Sequence, residues 1–180
     1  MDWGRIAKRI RVPLGFLFAA FFLWLATPEW WSLALGSAIA LAGVGIRAIS
    51  SGHVKKNEEL ATTGPYAYTR NPLYFGSIVI ALGFALASLR WEIAVALLIL
   101  FASVYIPVIR GEEQFLSQHF PHYADYCARV PRLLPRLRAG SEGRSRFSPE
   151  LYWKHREYNA LLGTLAVIAA LVARKIWMAR

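Results

Sequence analysis

The segment TTGPYAYTRNPLYFGS, Thr62 to Ser77, stands between two long apolar runs and carries two glycines, two prolines, three tyrosines, an arginine and an asparagine. A link between membrane helices needs only a turn. Such a density of polar and conformationally special residues therefore predicts a surface that grips something. Gly64-Pro65 and Asn71-Pro72 are turn signals. Pro72 suits the first turn of a helix, where its missing N–H costs nothing.

Outward from this segment the chain is apolar. Hydrophobic residues make up 56% of its 180 positions, above the usual share for a soluble domain. The runs predict helices over about 12–27, 31–49, 72–89 and 91–109, each near the roughly 20 residues that cross a bilayer core. A fifth apolar helix is expected over 158–178. Trp24, Trp30 and Trp31 suit the membrane interface. The short links at TPEW and Arg90 imply two antiparallel hairpins. The expected fold is an all-α integral membrane protein of about five transmembrane helices, two hairpins plus the C-terminal helix. The core runs over 1–140, closed by a cytoplasmic segment over 110–136, and a basic linker over 141–157 leads to the last helix. The first run has a basic start but is followed by a poor cleavage site, so a retained helix is expected rather than a signal peptide.

Charge sets the expected orientation. The net charge of +10 comes from 21 Lys and Arg against 11 Asp and Glu. Arg5, Lys8, Arg9 and Arg11 precede the first run, and Arg47, Lys55, Lys56 and Arg70 lie between the second and third. Arg110 and the series from Arg129 to Arg156 follow the fourth. The positive-inside rule places all three regions in the cytoplasm. Basic loops beside helices need no nucleic acid to explain them, and lipid headgroups are their expected contact. A fifth span would leave Arg174, Lys175 and Arg180 on the other side, against that rule. His53, His119 and His122 lack ligand spacing and Cys127 is the lone cysteine, so no metal site is expected. In the closing segment, Phe115, Leu116, His119 and Phe120 fall at helical spacing and predict a short amphipathic helix on the membrane surface. Ser148-Pro149-Glu150 reads as a helix start.

Antiparallel third and fourth helices bring Arg70–Tyr74 and Arg110–Glu113 out side by side, as two walls of one pocket. Paired carboxylates suit an ammonium, an arginine fork suits a carboxylate, and tyrosine faces tolerate a cation. S-adenosylmethionine would use all of these groups; a zwitterionic lipid headgroup would also fit.

The two motifs LATTGPYAYTRNPLYFG and EEQFLSQHFPHYADYCARVPRLLP, in order and one hairpin apart, resemble the isoprenylcysteine carboxyl methyltransferase family, over about Gly52 to Pro135. That family is grouped with membrane phospholipid and thiol methyltransferases. The resemblance implies S-adenosylmethionine as cofactor in a cytoplasmic pocket. It implies that Leu60, Ala61 and Tyr66 line the site, and that Asn71, Pro72, Leu73 and Tyr74 turn around the methionine part. Glu112 would hold the ammonium, with Glu113 beside it. Tyr123, Tyr126, Arg129 and Pro131 belong to the second motif, which folds back over the pocket. Arg70, Arg110 and Arg129 are the candidate catalytic cations.

Two departures stand out. Asn71 occupies a position where the family often has histidine. The eukaryotic prenylcysteine enzymes carry an arginine four residues before the cofactor glutamate, and here that residue is Val108, with Arg110 the nearest base. The expected activity is methyl transfer to a lipidic acceptor entering from the bilayer, in a membrane expected to be the bacterial cytoplasmic one. The rival readings are a non-catalytic protein that binds lipid headgroups and a sterol-type membrane reductase. Oligomeric state is left open by the sequence.

Overall fold

Long unbroken apolar runs leave the backbone no partners in lipid except its own, so they form helices. The computed structural model describes residues 15, 17–55, 58–139 and 146–179, and these contain no strand. Helix α1 covers 17–25. Then come α2 (Trp30–Ser51), a 3-10 turn (Gly64–Ala67), α3 (Pro72–Ser88) and α4 (Trp91–Leu100). A π-helical stretch, Phe101–Tyr105, joins α4 directly to α5 (Ile106–His119), after which follow α6 (Tyr123–Arg129), α7 (Pro149–Lys154) and α8 (Tyr158–Met178). Among the described residues, three helical segments are long and apolar enough to cross a membrane: Trp30–Ser51, Trp91–His119 and Tyr158–Met178. Pro72–Ser88 is a shorter apolar helix. The expected basic start of the chain, residues 12–14 and 16 of the first helix, Lys56, 141–145 of the linker, and Arg180 lie outside the described residues.

The centre of the bundle is the α2–α3 pair. A Cβ on Gly36 would come within 2.5 Å of the Gly83 carbonyl, and one on Gly43 within 2.7 Å of the Gly76 carbonyl. Small residues on both helices thus let the backbones touch, the usual solution where lipid supplies no hydrophobic drive for association. The two hairpin links turn at one end of this pair. There the Thr27 N–H donates to Ser88 O (3.0 Å), and Ser32 Oγ donates to Ala87 O (3.2 Å) and to Glu29 O (3.0 Å). Phe22, Leu33, Ala87, Ile93 and Leu171 form a buried cluster at this end, ringed by exposed Trp24, Trp30, Trp31, Trp91 and Trp177.

Helix α8 runs beside α2 in the opposite direction, pinned at both ends. Glu157, just before it, pairs with Arg47 near the end of α2. At the far end Arg174 donates to the carbonyls of Trp24 (2.6 Å) and Ala26 (2.5 Å), and Lys175 pairs with Glu29 at 2.7 Å. Two of the three cations that conflict with the charge rule, Arg174 and Lys175, are thus occupied by carbonyls at the end of α1 and by a carboxylate.

One expectation needs correction. The sequence reading ends the fourth helix at 109 and lays a separate amphipathic helix on the membrane surface from Phe115. The chain instead forms one 29-residue helix from Trp91 to His119, about 44 Å long at 1.5 Å per residue. A hydrocarbon core of about 30 Å cannot cover that length. The polar stretch from Arg110 therefore continues the helix beyond it without breaking the hydrogen-bond ladder. Pro107 would disrupt an ordinary ladder. The π-helical stretch lies just ahead of it, with the Ile106 N–H reaching back five residues to Phe101 O. The described part of the linker forms α7, whose start at Ser148 matches the sequence reading: Ser148 Oγ accepts from the Leu151 N–H at 3.3 Å.

Candidate functional site

At the end of the bundle opposite the tryptophans, a cavity of about 700 Å3 opens between the 52–71 loop, the start of α3, α5 and α6. The two sequence motifs meet here through their backbones. The Arg70 N–H donates to Pro131 O (2.9 Å), the Arg136 N–H to Tyr68 O (3.1 Å), and Thr69 Oγ1 to Leu133 O (2.9 Å). Tyr126 closes the far side, its hydroxyl donating to Tyr66 O at 2.7 Å. The second motif thus packs on the first.

Adjacent glutamates on α5 take different places, because one residue step turns a helix by about 100°. Glu112 is exposed on the cavity wall and accepts the Tyr74 hydroxyl at 2.9 Å. Glu113 is buried behind the wall. It accepts from Arg132 Nε (2.8 Å) and Asn71 Nδ2 (3.2 Å), and Arg70 lies 3.4 Å away. Asn71 also donates to Arg132 O at 2.9 Å. With its amide committed to both partners, Asn71 is a clamp between the motifs.

Of the residues singled out in the sequence, Leu60, Ala61, Tyr66, Arg70, Asn71, Pro72, Leu73, Tyr74 and Glu112 all line the cavity. Glu113, Arg110 and Arg129 do not. Arg110 is exposed on another face of α5, and Arg129 is exposed on α6 with its Nε donating to Asp125 O. Val108 is buried with Val104 against Tyr74 and Tyr105, so an apolar contact occupies the place of the prenylcysteine enzymes' arginine.

Burial raises the hydroxyl pKa of Tyr66, and the neighbouring Tyr126 adds to the effect. Burial raises Tyr123 and Tyr126 in the same way. All three therefore stay neutral near physiological pH.

Sequence reading missed part of the wall. Arg47 grips Glu157 with two nitrogens, Nε to Oε2 at 3.1 Å and a terminal nitrogen to Oε1 at 2.8 Å, and also donates to Ser77 Oγ at 2.6 Å. Both residues line the cavity, as do Ser77 and Tyr105. The signal was present: an arginine near the end of one apolar run and a glutamate just before another sit at the same depth. Tyr105 carried no such signal, since its place depends on the π-helical turn that presents it edge-on to Tyr74, ring centroids 5.9 Å apart. Among the described residues, no group of three or more His, Cys, Asp or Glu is placed to hold a metal.

The phospholipid methyltransferase family pattern matches residues 12–122, more than half of the chain. The chain is 41% identical over 83 residues to the nickel-cobalt-cadmium resistance protein NccN of Alcaligenes xylosoxydans xylosoxydans, covering 46% of this chain and 39% of that protein. It is 39% identical over 83 residues to the cobalt-zinc-cadmium resistance protein CzcN of Cupriavidus metallidurans, covering 46% and 38%. The match thus spans about two fifths of each relative's length. No solved structure matches the chain. With α1 to α5 and most of the cavity wall inside the matched stretch, the chain belongs to the phospholipid methyltransferase family, within the isoprenylcysteine carboxyl methyltransferase-like group of membrane methyltransferases.

Proposed function

We propose that this membrane methyltransferase uses S-adenosylmethionine and acts on a lipidic acceptor that reaches the cavity from the bilayer. The observation that carries the reading is the Glu112 carboxylate, oriented by Tyr74 on the wall of a cavity of about 700 Å3. Among the described residues no cation pairs with that carboxylate, whereas Arg70 and Arg47 are each paired with a glutamate. The wall therefore offers an amino-acid ammonium a carboxylate, and a cationic sulfur the tyrosine faces.

S-adenosylmethionine, when bound, supplies a methyl group on a cationic sulfur. The chain's own work is alignment, which can supply roughly 7–11 kcal/mol of such a barrier. Glu112 would hold the ammonium and Tyr74 would fix the carboxylate. Leu60, Ala61 and Tyr66 would form the wall behind the nucleoside, and Asn71–Leu73 would turn around the methionine part. The neutral tyrosines would donate or accept hydrogen bonds without taking the acceptor's proton. The basic residues around the cavity favour the cytoplasmic side for this end, in a bacterial cytoplasmic membrane. Accessibility of a cysteine introduced at Arg138 to an impermeant thiol reagent in intact cells and inverted vesicles tests that orientation.

Titration of S-adenosylhomocysteine into the detergent-purified protein tests the cofactor reading. Saturable binding by the wild type, absent from a folded Glu112→Ala variant, supports it. Wild-type affinity in that variant would sink it.

A further inference from the structure

Helices α4 and α5 form one continuous run, but the side they present changes at the π-helical stretch Phe101–Tyr105. In α4, Ile93 is buried in the core with Leu97 packed beside it. An unbroken α-helix would carry Val104 and Val108 round to the side of Leu97. A π turn takes in one residue more than an α turn and so shifts the phase by about 100°. Tyr105 and Glu112 come to that side instead, and both line the cavity, while Val104 and Val108 are buried against Tyr74 and Tyr105. Two neighbours then hold the Tyr105 ring. Tyr74 meets it at 81° with centroids 5.9 Å apart, and Phe101 lies nearly parallel to it, at 8° and 5.5 Å. Tyr74 also donates its hydroxyl to Glu112. The wall therefore passes from a carboxylate, through a hydroxyl, to a pair of aromatic rings. Tyr105 and Glu112 stand about 10 Å apart along the helix axis.

We propose that Tyr105 senses the charge on the sulfur of the methyl donor, raising the cavity's affinity for S-adenosylmethionine relative to the neutral S-adenosylhomocysteine. This rests on the cofactor reading above and adds the residue that tells donor from product. The donor carries an ammonium and, joined to it by a short alkyl chain, a cationic sulfur. That is the order of groups along the wall, with Glu112 for the first charge and the rings for the second. An aromatic face attracts a cation through its quadrupole, most strongly where water is displaced, and has no such attraction for a neutral thioether. Tyr105 acts through its ring, so its hydroxyl is dispensable for this role. Tyr74 also anchors Glu112, which makes Tyr105 the cleaner position at which to separate the two charges.

The test titrates S-adenosylmethionine and S-adenosylhomocysteine separately into the full-length, detergent-purified protein by calorimetry. The two ligands differ by a methyl group and a charge. Pentafluorophenylalanine incorporated in place of Tyr105 keeps the ring's shape but reverses its quadrupole. The ratio of donor to product affinity should fall roughly tenfold in that protein, with S-adenosylhomocysteine affinity and unfolding temperature near wild type. Tyr105→Phe should keep the wild-type ratio, and Tyr105→Leu, which removes the ring without fluorine, should lower it. A ratio unchanged in both the fluorinated and the leucine proteins, or equal losses for the two ligands, would overturn the role of Tyr105. A folded wild type that binds neither ligand would overturn the cofactor reading on which that role rests.

Discussion

The Tyr74 hydroxyl donates to the Glu112 carboxylate at 2.9 Å, joining the first turn of α3 to the part of α5 that projects past the apolar layer. Neither residue is close to the other in sequence, and each comes from a different motif. Their meeting depends on α5 continuing as helix beyond the membrane core. Tyr74→Phe should keep the cavity's shape but leave the carboxylate unanchored. A hydrogen bond to a charged group contributes about 1.5–3 kcal/mol when buried, and exposure of Glu112 reduces that to about 1 kcal/mol. S-adenosylhomocysteine affinity should therefore fall several-fold in calorimetry, against complete loss in Glu112→Ala. Unchanged affinity in Tyr74→Phe would show that the contact orients nothing.

The neighbouring glutamate should behave in the opposite way. Glu113 is buried with Arg70, and removing one partner of a buried pair leaves the other charge uncompensated, at a cost of about 3–5 kcal/mol. Glu113→Ala should lower the unfolding temperature markedly, while Glu112→Ala should barely change it. Equal thermal stability of the two variants would contradict the separation of roles.

Arg156 has φ of 55°, a left-handed conformation that non-glycine residues avoid. It ends α7 in a reversal in which the Arg156 N–H donates to Trp153 O and the Glu157 N–H to Tyr152 O. That reversal delivers Glu157 to Arg47. Arg156→Gly should relieve about 1 kcal/mol of strain and raise the unfolding temperature slightly. A lower temperature would mean that the exposed arginine side chain makes contacts outweighing the strain.

Raised tyrosine pKa values give a pH dependence of defined sign. In the unfolded chain Tyr66 and Tyr126 lose their protons near about pH 10, whereas burial holds both protonated above that in the folded protein. The folded state then binds more protons than the unfolded one. Stability is fully present below about pH 10 and declines as pH rises beyond it. Unfolding midpoints in denaturant, measured across that range, should fall, and Tyr126→Phe should reduce the slope. A flat profile would argue that these hydroxyls are solvated.

The α2–α3 contact should be the least tolerant of added volume. A side chain at Gly43 meets backbone atoms of Gly76 and Ile80 within 2.8 Å, and backbone cannot rotate away. Gly43→Leu should separate the helices, with a cost above the roughly 1–3 kcal/mol typical of overpacking. It should be seen as loss of folded protein in detergent. A well-folded variant would show that the helices can slide apart freely.

The sequence by itself determined the apolar helices, the two tight links and the pocket's principal wall. Hydrophobic runs and turn residues act locally, and the order of two motifs across an antiparallel hairpin fixes which ends meet. That is why nine of the residues read from the sequence, from Leu60 to Glu112, line one cavity. Tertiary structure decided the rest. Which of two adjacent glutamates faces the cavity depends on the rotational phase of a helix, and that phase is set by an uninterrupted run from Trp91 through a π-helical turn. Arg110 and Arg129 lie on faces that do not line the cavity. The Arg47–Glu157 pair, 110 residues apart, exists only because α8 lies along α2. A long-range ion pair leaves no periodic pattern in the chain, so only the packing of the two helices reveals it.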